Sequence, residues 1–314
     1  MFELIFLGTS ASAPSLRRGL SAHMLKHNEH RFLIDCGEGT QRQILKSGLG
    51  FKRLNHILIT HGHLDHILGL AGLFSTFSRW ETLEAIEIHA GSFALERIDA
   101  LLYGVRVVPK GRASNLDLTL SPIQPGPLFE GEDFTISAFP VSHRGPDCFG
   151  FLFEEHTRRP FLPEKAEALG IPVGPIRREL VRGKTITLDD GRTIQPEDVL
   201  GAAEPGARYA HVGDTGRTDD ILEHIRGVDC LVIEATYLEP EREMASDFAH
   251  LTAKQAAELG RDAEVGQLIL THLSRRYREA DVLAEAQAVF PNTAVARDFD
   301  VYQIKRGETS KVES

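Results

Sequence analysis

The segment His61-Gly62-His63-Leu64-Asp65-His66 holds four potential metal ligands within six residues. It follows the apolar run HILIT at 56–60, so a strand delivers the chain into a tight turn. Residues at i and i+2 of such a turn can present two imidazoles to one cation. The carboxylate and imidazole at i+4 and i+5 can serve a second cation about 3.5–4 Å away, the usual spacing of two-metal hydrolases. His and Asp ligands suit zinc, and manganese or iron fits the same donors.

Three further ionisable residues share one context. His143 ends ISAFPVSH, Asp214 ends RYAHVGD and His272 ends QLILTH. Side chains at the C-terminal ends of apolar strands fall along one sheet edge and can build a single rigid site. The expected arrangement puts His61, His63 and His143 on one cation and Asp65, His66 and His272 on the other, with Asp214 offering one oxygen to each. Two cations would acidify a shared water and stabilise charge growing on a phosphate. Asp35 ends the strand RFLID: it either accepts a hydrogen bond from the outer nitrogen of a ligand histidine or caps the next turn. His250 precedes Thr252, a helix N-cap candidate, and is either a general acid for a leaving oxygen or an ordinary loop residue. His211 points away from Asp214 on an alternating strand. His23, His27, His30, His56, His89, His156 and His224 have no convergent context and are assigned no role.

The elements that must hold these residues follow from pattern. Strands are expected at 3–7, 22–26, 31–35, 56–60, 85–90, 133–143, 148–155, 208–214, 230–235, 267–272 and 293–299. Helices are expected at 38–47, 69–80, 92–102, 217–226, 252–264 and 279–289. The fold class is α/β (α+β), with two large sheets face to face and helices outside. One domain spans 1–314, and 156–206 is inserted into it as a protruding arm, too long for a simple connection. The arm carries Arg177, Arg178, Arg182 and Lys184 against one acid, Glu179, a reasonable phosphate grip.

Composition excludes several classes. The 314 residues are 42% hydrophobic and 25% charged, so the chain is neither disordered nor collagenous. No run is long and apolar enough to span a bilayer, and the apolar start reads as a strand, not a signal peptide. Three scattered cysteines fit a reducing cytoplasm. A net charge of −10 argues against bulk electrostatic binding of nucleic acid, so neither a membrane nor DNA is an expected partner.

The chain resembles the ribonuclease Z family of the metallo-β-lactamase superfamily. The resemblance rests on FLGTSASAP, LIDCGEGTQRQI, ITHGHLDHILGLAGL, VSH with GFLFEE, GIPVGP with RGKTITLDDGR, HVGDTG, EAT, AHLTAKQAAE and LTHLSRRY, and runs over nearly the whole length. It implies a four-layer αββα sandwich, two zinc ions per subunit and a homodimer. It implies that Asp65 with the metal pair activates the attacking water, that His250 is catalytic and that Asp35 supports the ligands. It implies that the arm around Gly174 and Pro175 grips the elbow of precursor tRNA. The implied reaction is removal of the 3′ trailer by phosphodiester hydrolysis, leaving a 3′-hydroxyl on the tRNA. The alternative is a dizinc hydrolase of small phosphodiesters or thioesters. One loop departs from the family pattern P-x-K-x-R-N: Pro14-Ser15-Leu16-Arg17-Arg18-Gly19 has Leu16 for the Lys and Gly19 for the Asn. The resemblance therefore carries no cleavage position relative to CCA.

Overall fold

The first strand, β1 (Phe2–Gly8), is buried on both faces, which is why it reads as a near-continuous apolar run. Its alternate residues serve different cores. Phe2, Leu4 and Phe6 pack with Phe134, Phe151, Phe153 and Tyr209. Ile5 and Leu7 pack on the other side with Ile44, Leu70 and Phe77.

The computed structural model describes residues 1–80, 84–105 and 116–313. After β1 come β2 (Ala22–His27), β3 (His30–Ile34), β4 (His56–Leu58), β5 (Ala85–Ala90), β6 (Asp117–Pro122), β7 (Gly126–Glu130), β8 (Phe134–Pro140) and β9 (Phe149–Glu155). The chain continues with β10 (Ile186–Thr187), β11 (Thr193–Ile194), β12 (Arg208–His211), β13 (Cys230–Glu234), β14 (Gln267–Thr271), β15 (Thr293–Val295), β16 (Val301–Lys305) and β17 (Glu308–Lys311). The helices are α1 (Thr40–Lys46), α2 (Leu64–Ile67), α3 (Gly69–Trp80), α4 (Ser92–Val105), α5 (Pro163–Ala168), α6 (Pro175–Val181), α7 (Pro196–Val199), α8 (Arg242–Asp247), α9 (Ala253–Asp262) and α10 (Glu279–Gln287).

Two compact units result, one from Met1–Glu154 with Ala207–Ser314 and one from Glu155–Gly206. In the first, one sheet has the order β17-β16-β1-β2-β3-β4-β5-β6 and the other β15-β14-β13-β12-β9-β8-β7. Helices α1, α3 and α4 cover the outer face of the first sheet through Ile44, Leu73 and Ile98. Helices α9 and α10 cover the second through Ala256, Leu259, Val282 and Ala286. This is a four-layer αββα sandwich. The parallel runs β3-β4-β5 and β12-β13-β14 are what carry several strand ends to one edge. Cys36, Cys148 and Cys230 are buried free thiols.

The smaller unit has its own core of Ala166, Ile171, Leu180, Ile186, Ile194 and Val199, with β10 and β11 paired Ile186↔Ile194. Gly174 precedes α6 at φ 148°, a conformation L side chains rarely adopt. Arg177 Nη2 donates to the Ile171 carbonyl at 2.7 Å, and Glu179 accepts from Lys184 at 2.7 Å and Arg182 at 3.4 Å.

Several expected elements need correction. Residues 217–226 form turns, not a helix. Ile221 and Ile225 do bury at helical spacing. Polar side chains around them bond backbone groups outside a helical ladder instead: Thr215 Oγ1 donates to the Arg217 carbonyl nearby, and Asp220 accepts from the distant Ser142 amide. The strands expected to run to Thr60, Asp214 and Phe299 stop at Leu58, His211 and Val295. In the first two cases the lost residues leave the ladder to reach the site. Strands β6, β7, β16 and β17 lie outside the expected set: β6, β7 and β17 bury no residue fully, and β16 alternates over only five positions.

Candidate metal centre

The turn after β4 is built to collect ligands. The Thr60 amide donates to Asp35 Oδ1 at 2.8 Å, which anchors the strand exit. His63 sits at the N-cap of α2 in an extended conformation, so Asp65 and His66 fall in that helix's first turn. Asp35 and His272 both hold left-handed backbones, φ 58° and φ 54°. Such strain in non-glycine residues persists where surrounding structure over-determines it, often at functional sites.

Seven side chains converge as two sets. In one, His63 Nδ1 lies 2.9 Å from His61 Nε2 and 3.2 Å from His143 Nε2. In the other, Asp65 Oδ2 lies 3.4 Å from His272 Nε2 and 3.8 Å from His66 Nε2. Asp214 stands between them. Its Oδ2 faces His61 and His143 at 3.7 and 3.8 Å, while its Oδ1 faces His272 and His66 at 3.3 and 3.5 Å. A tetrahedral ion with bonds of ~2.0–2.1 Å keeps its ligand atoms roughly 3.3–3.4 Å apart. Three separations in the second set lie near that edge length and the Asp65–His66 one exceeds it, while the first set straddles it.

Two of these atoms, His66 Nε2 and Asp214 Oδ1, are fully buried without a hydrogen-bond partner among the described residues. Buried polar atoms are nearly always paired. Orphans facing each other amid convergent imidazoles fit a cation.

Behind the ligands lie two buried carboxylates with the same design. Asp35 Oδ2 accepts from His66 Nδ1 at 2.7 Å and from Thr60 Oγ1 at 2.9 Å. Thr60 Oγ1 in turn meets His61 Nδ1 at 3.0 Å. Glu234 Oε1 accepts from His250 Nδ1 at 2.8 Å, and its Oε2 accepts from Thr236 Oγ1 at 2.5 Å. Thr236 Oγ1 meets His272 Nδ1 at 2.9 Å. Each carboxylate thus orients one histidine directly and a second through a threonine, turning the Nε2 atoms inward. His143 Nδ1 donates to the Ala249 carbonyl at 2.7 Å, and the Ser12 amide donates to Asp65 Oδ2 at 2.9 Å.

Charge follows this wiring in the metal-free chain. Burial, reinforced by His66, holds His61 well below the usual imidazole range. Burial with His143 pushes His63 down to about 4. Burial opposes charge on His66, yet the Asp214 and Asp35 carboxylates raise it well above its ordinary value. Burial also opposes charge on Asp214, but His272 and His66 hold its carboxyl well below the usual range. His250 is raised to about 9 because the Glu234 carboxylate outweighs burial.

Sequence reasoning passed over Glu234. It is the one acid in the wholly buried strand CLVIE, a pattern that should have drawn attention. His211 points into the inter-sheet core, where its Nδ1 meets Tyr209 Oη at 2.7 Å. The capping box at Thr252 and Gln255 places the N-cap of α9 two residues after His250 and fixes where that loop ends.

Comparison with known proteins decides the family. Two family models match, one described as Anti-Pycsar protein Apyc1 over residues 2–159 and one as a beta-lactamase superfamily domain over 177–273. A ribonuclease Z from Bradyrhizobium sp. (strain ORS 278) is 48% identical over 300 residues, covering 96% of this chain and 99% of its own. The chain belongs to the ribonuclease Z family. Ribonuclease BN from Escherichia coli O81 (strain ED1a) is 38% identical over 310 residues, covering 96% of this chain and all of its own. The short form of human tRNase Z superposes with a TM-score of 0.68 at 25% identity, over 96% of this chain and 99% of that one. Ribonuclease Z membership makes the chain a hydrolytic enzyme on a metallo-β-lactamase fold. Among the described residues no helix is long and apolar enough to cross a membrane.

Beside the centre, the loop Pro14–Gly19 borders a cavity of about 900 Å³ that Leu273, Arg275 and Tyr277 also line. Arg18 is spent on structure there, donating to Thr9 Oγ1, the Ala296 carbonyl and Glu279. Leu16 is fully exposed.

Proposed function

We propose that this member of the ribonuclease Z family is a zinc-dependent endonuclease that removes the 3′ trailer of precursor tRNA. The observation that carries the metal reading is Asp214, whose two oxygens face two separate ligand sets. His61, His63 and His143 would hold one cation, Asp65, His66 and His272 the other, with Asp214 common to both. The tRNA reading is supported by relatives named ribonuclease Z and tRNase Z.

Two bound cations would supply Lewis-acid stabilisation of the phosphate and acidify water. The chain's own residues do the rest. Asp65, held by the Ser12 amide, orients the attacking water on the phosphorus. Asp35 and Glu234 fix the imidazole tautomers. His250, charged by Glu234, gives its proton to the departing 3′-oxygen as the P–O3′ bond breaks. The products are a 3′-hydroxyl on the tRNA and a 5′-phosphate on the trailer.

The arm would grip the tRNA. Gly174 and Pro175 shape the α6 entry, Arg178 lies on α6, Arg182 and Lys184 share Glu179, and Arg177 braces the Ile171 carbonyl. A homodimer in the cytoplasm completes the reading, with free thiols that suit a reducing compartment. Incubation with a trailer-bearing precursor tRNA, alongside Asp65→Ala, tests it by mapped product ends. A cut at the discriminator or after CCA, absent in the variant, is expected; no cut with retained hydrolysis of bis(p-nitrophenyl) phosphate would leave the small-substrate alternative.

The arm has a separate test. The Leu162 amide donates to the Val199 carbonyl at 2.8 Å and Phe161 pairs with Leu200, so the two stems of the arm run side by side and residues 160–196 can be replaced by a short Gly-Ser linker. Cleavage of precursor tRNA should then fall by at least ~100-fold while bis(p-nitrophenyl) phosphate turnover stays within about 3-fold, since remote binding energy serves only the large substrate. Equal losses on both would sink the arm's role.

Asp35→Ala should leave the Thr60 amide and His66 Nδ1 unpaired. Metal affinity is expected to drop ~10–100-fold, as for other buried groups behind metal ligands. Chelator competition measures it.

A further inference from the structure

Outside the two ligand sets, β4 and β5 pair in parallel with His56 opposite Glu87, and His89 two residues further on the same face. Their polar atoms meet. His56 Nδ1 is 3.4 Å from His89 Nε2, Glu87 Oε2 is 3.6 Å from His89 Nε2, and it is 3.9 Å from His56 Nδ1. The same three atoms define all three distances.

We propose that His56, Glu87 and His89 form a separate divalent-cation site, of the zinc class, that clips β4 to β5. The separations run from the tetrahedral edge of roughly 3.3–3.4 Å to slightly beyond it. The His56–His89 separation is long for a hydrogen bond between ring nitrogens and right for two ligands of one ion. The carboxylate is aimed from behind: Ser121 Oγ on β6 donates to Glu87 Oε1 at 2.5 Å, leaving Oε2 for the cation. Phe32 and Phe129 wall the His56 ring at 5.4 and 5.2 Å. Side-chain exposures of 23% for His56 and 36% for Glu87 leave a way in, and room for a water as fourth ligand. Burial lowers the pKa of both imidazoles, so they are neutral, as ligands must be.

The clip matters because β4 spans only Leu58 and its two predecessors and leads straight to Thr60 and His61. An ion that binds only the paired strands stabilises that pairing by mass action.

The test is a count of ions per chain. Wild type and His56→Gln/His89→Gln are saturated with Zn²⁺ by dialysis, washed on a desalting column and analysed for metal. The double variant should bind one equivalent fewer and keep its hydrolytic turnover, and zinc should raise its Tm less than that of wild type. Glu87→Gln, which keeps the shape and the Ser121 contact, should bind the extra ion at least ~10-fold more weakly in chelator competition. An equal count in the double variant, or unchanged affinity in Glu87→Gln, overturns the site. The difference between chains is read whatever the catalytic centre holds, so failure here and failure of the proposed function are distinguishable.

Discussion

Asp214→Ala is expected to reduce hydrolysis of precursor tRNA and of bis(p-nitrophenyl) phosphate alike, by more than ~10³-fold, a loss of about 4 kcal/mol of transition-state stabilisation. The reason is geometric. Every other ligand faces one set, whereas Asp214 Oδ2 looks at His61 and His143 and Oδ1 at His66 and His272. Its removal would strip charge compensation from both proposed cations at once, so elemental analysis should find both lost or weakened together. A variant of His63 should instead affect chiefly one. The substrate comparison is part of the prediction. A residue that only holds RNA would spare the small phosphodiester, and sparing it would exclude Asp214 from the centre. Folding should survive, because Asp214 lies at a strand exit whose neighbours are fixed by the Val212 and Thr215 amides. Circular dichroism checks this.

Much of this candidate centre, as a cluster of converging side chains, was legible because its residues are rare types at informative places. His61, His63, Asp65 and His66 fall within one turn, and His143, Asp214 and His272 each follow an apolar strand. Parallel pairing of β12, β13 and β14 then brings distant strand ends together, as continuous apolar runs such as CLVIE and QLILT suggest. Glu234 was not legible in the same way. Thr236 is two residues away, but its other partners, His250 and Thr215, belong to separate segments that only tertiary structure brings to it. His56 and His89 failed for the same reason: 33 residues apart, they meet through β4–β5 register. The segment 217–226 misled in the opposite direction, since Ile221 and Ile225 carry a helical spacing that local side-chain hydrogen bonds override.

Glu234 is also where the sharpest test of proton transfer lies. Glu234→Gln and His250→Gln should each slow cleavage of precursor tRNA by ~10²–10³-fold, the range of a lost general acid. The same variants should slow bis(p-nitrophenyl) phosphate hydrolysis by less than about 10-fold. The contrast follows from the leaving groups: a ribose 3′-oxygen must be protonated as it departs, whereas p-nitrophenolate leaves as the anion. Glutamine at 234 still accepts from His250 Nδ1 but no longer provides the charge that raises it to about 9 in the metal-free chain. The sign is fixed. A donor must be protonated, its raised pKa keeps it so through neutral pH, and removing the cause of the rise lets the proton go at lower pH. The alkaline limb of kcat/KM on precursor tRNA should therefore move to lower pH in Glu234→Gln, and vanish from the profile in His250→Gln. A merely structural role for Glu234, through Thr236 and His272, would instead slow both substrates equally and leave the limb in place. That outcome would assign Glu234 to holding a metal ligand and leave His250 without its acid function.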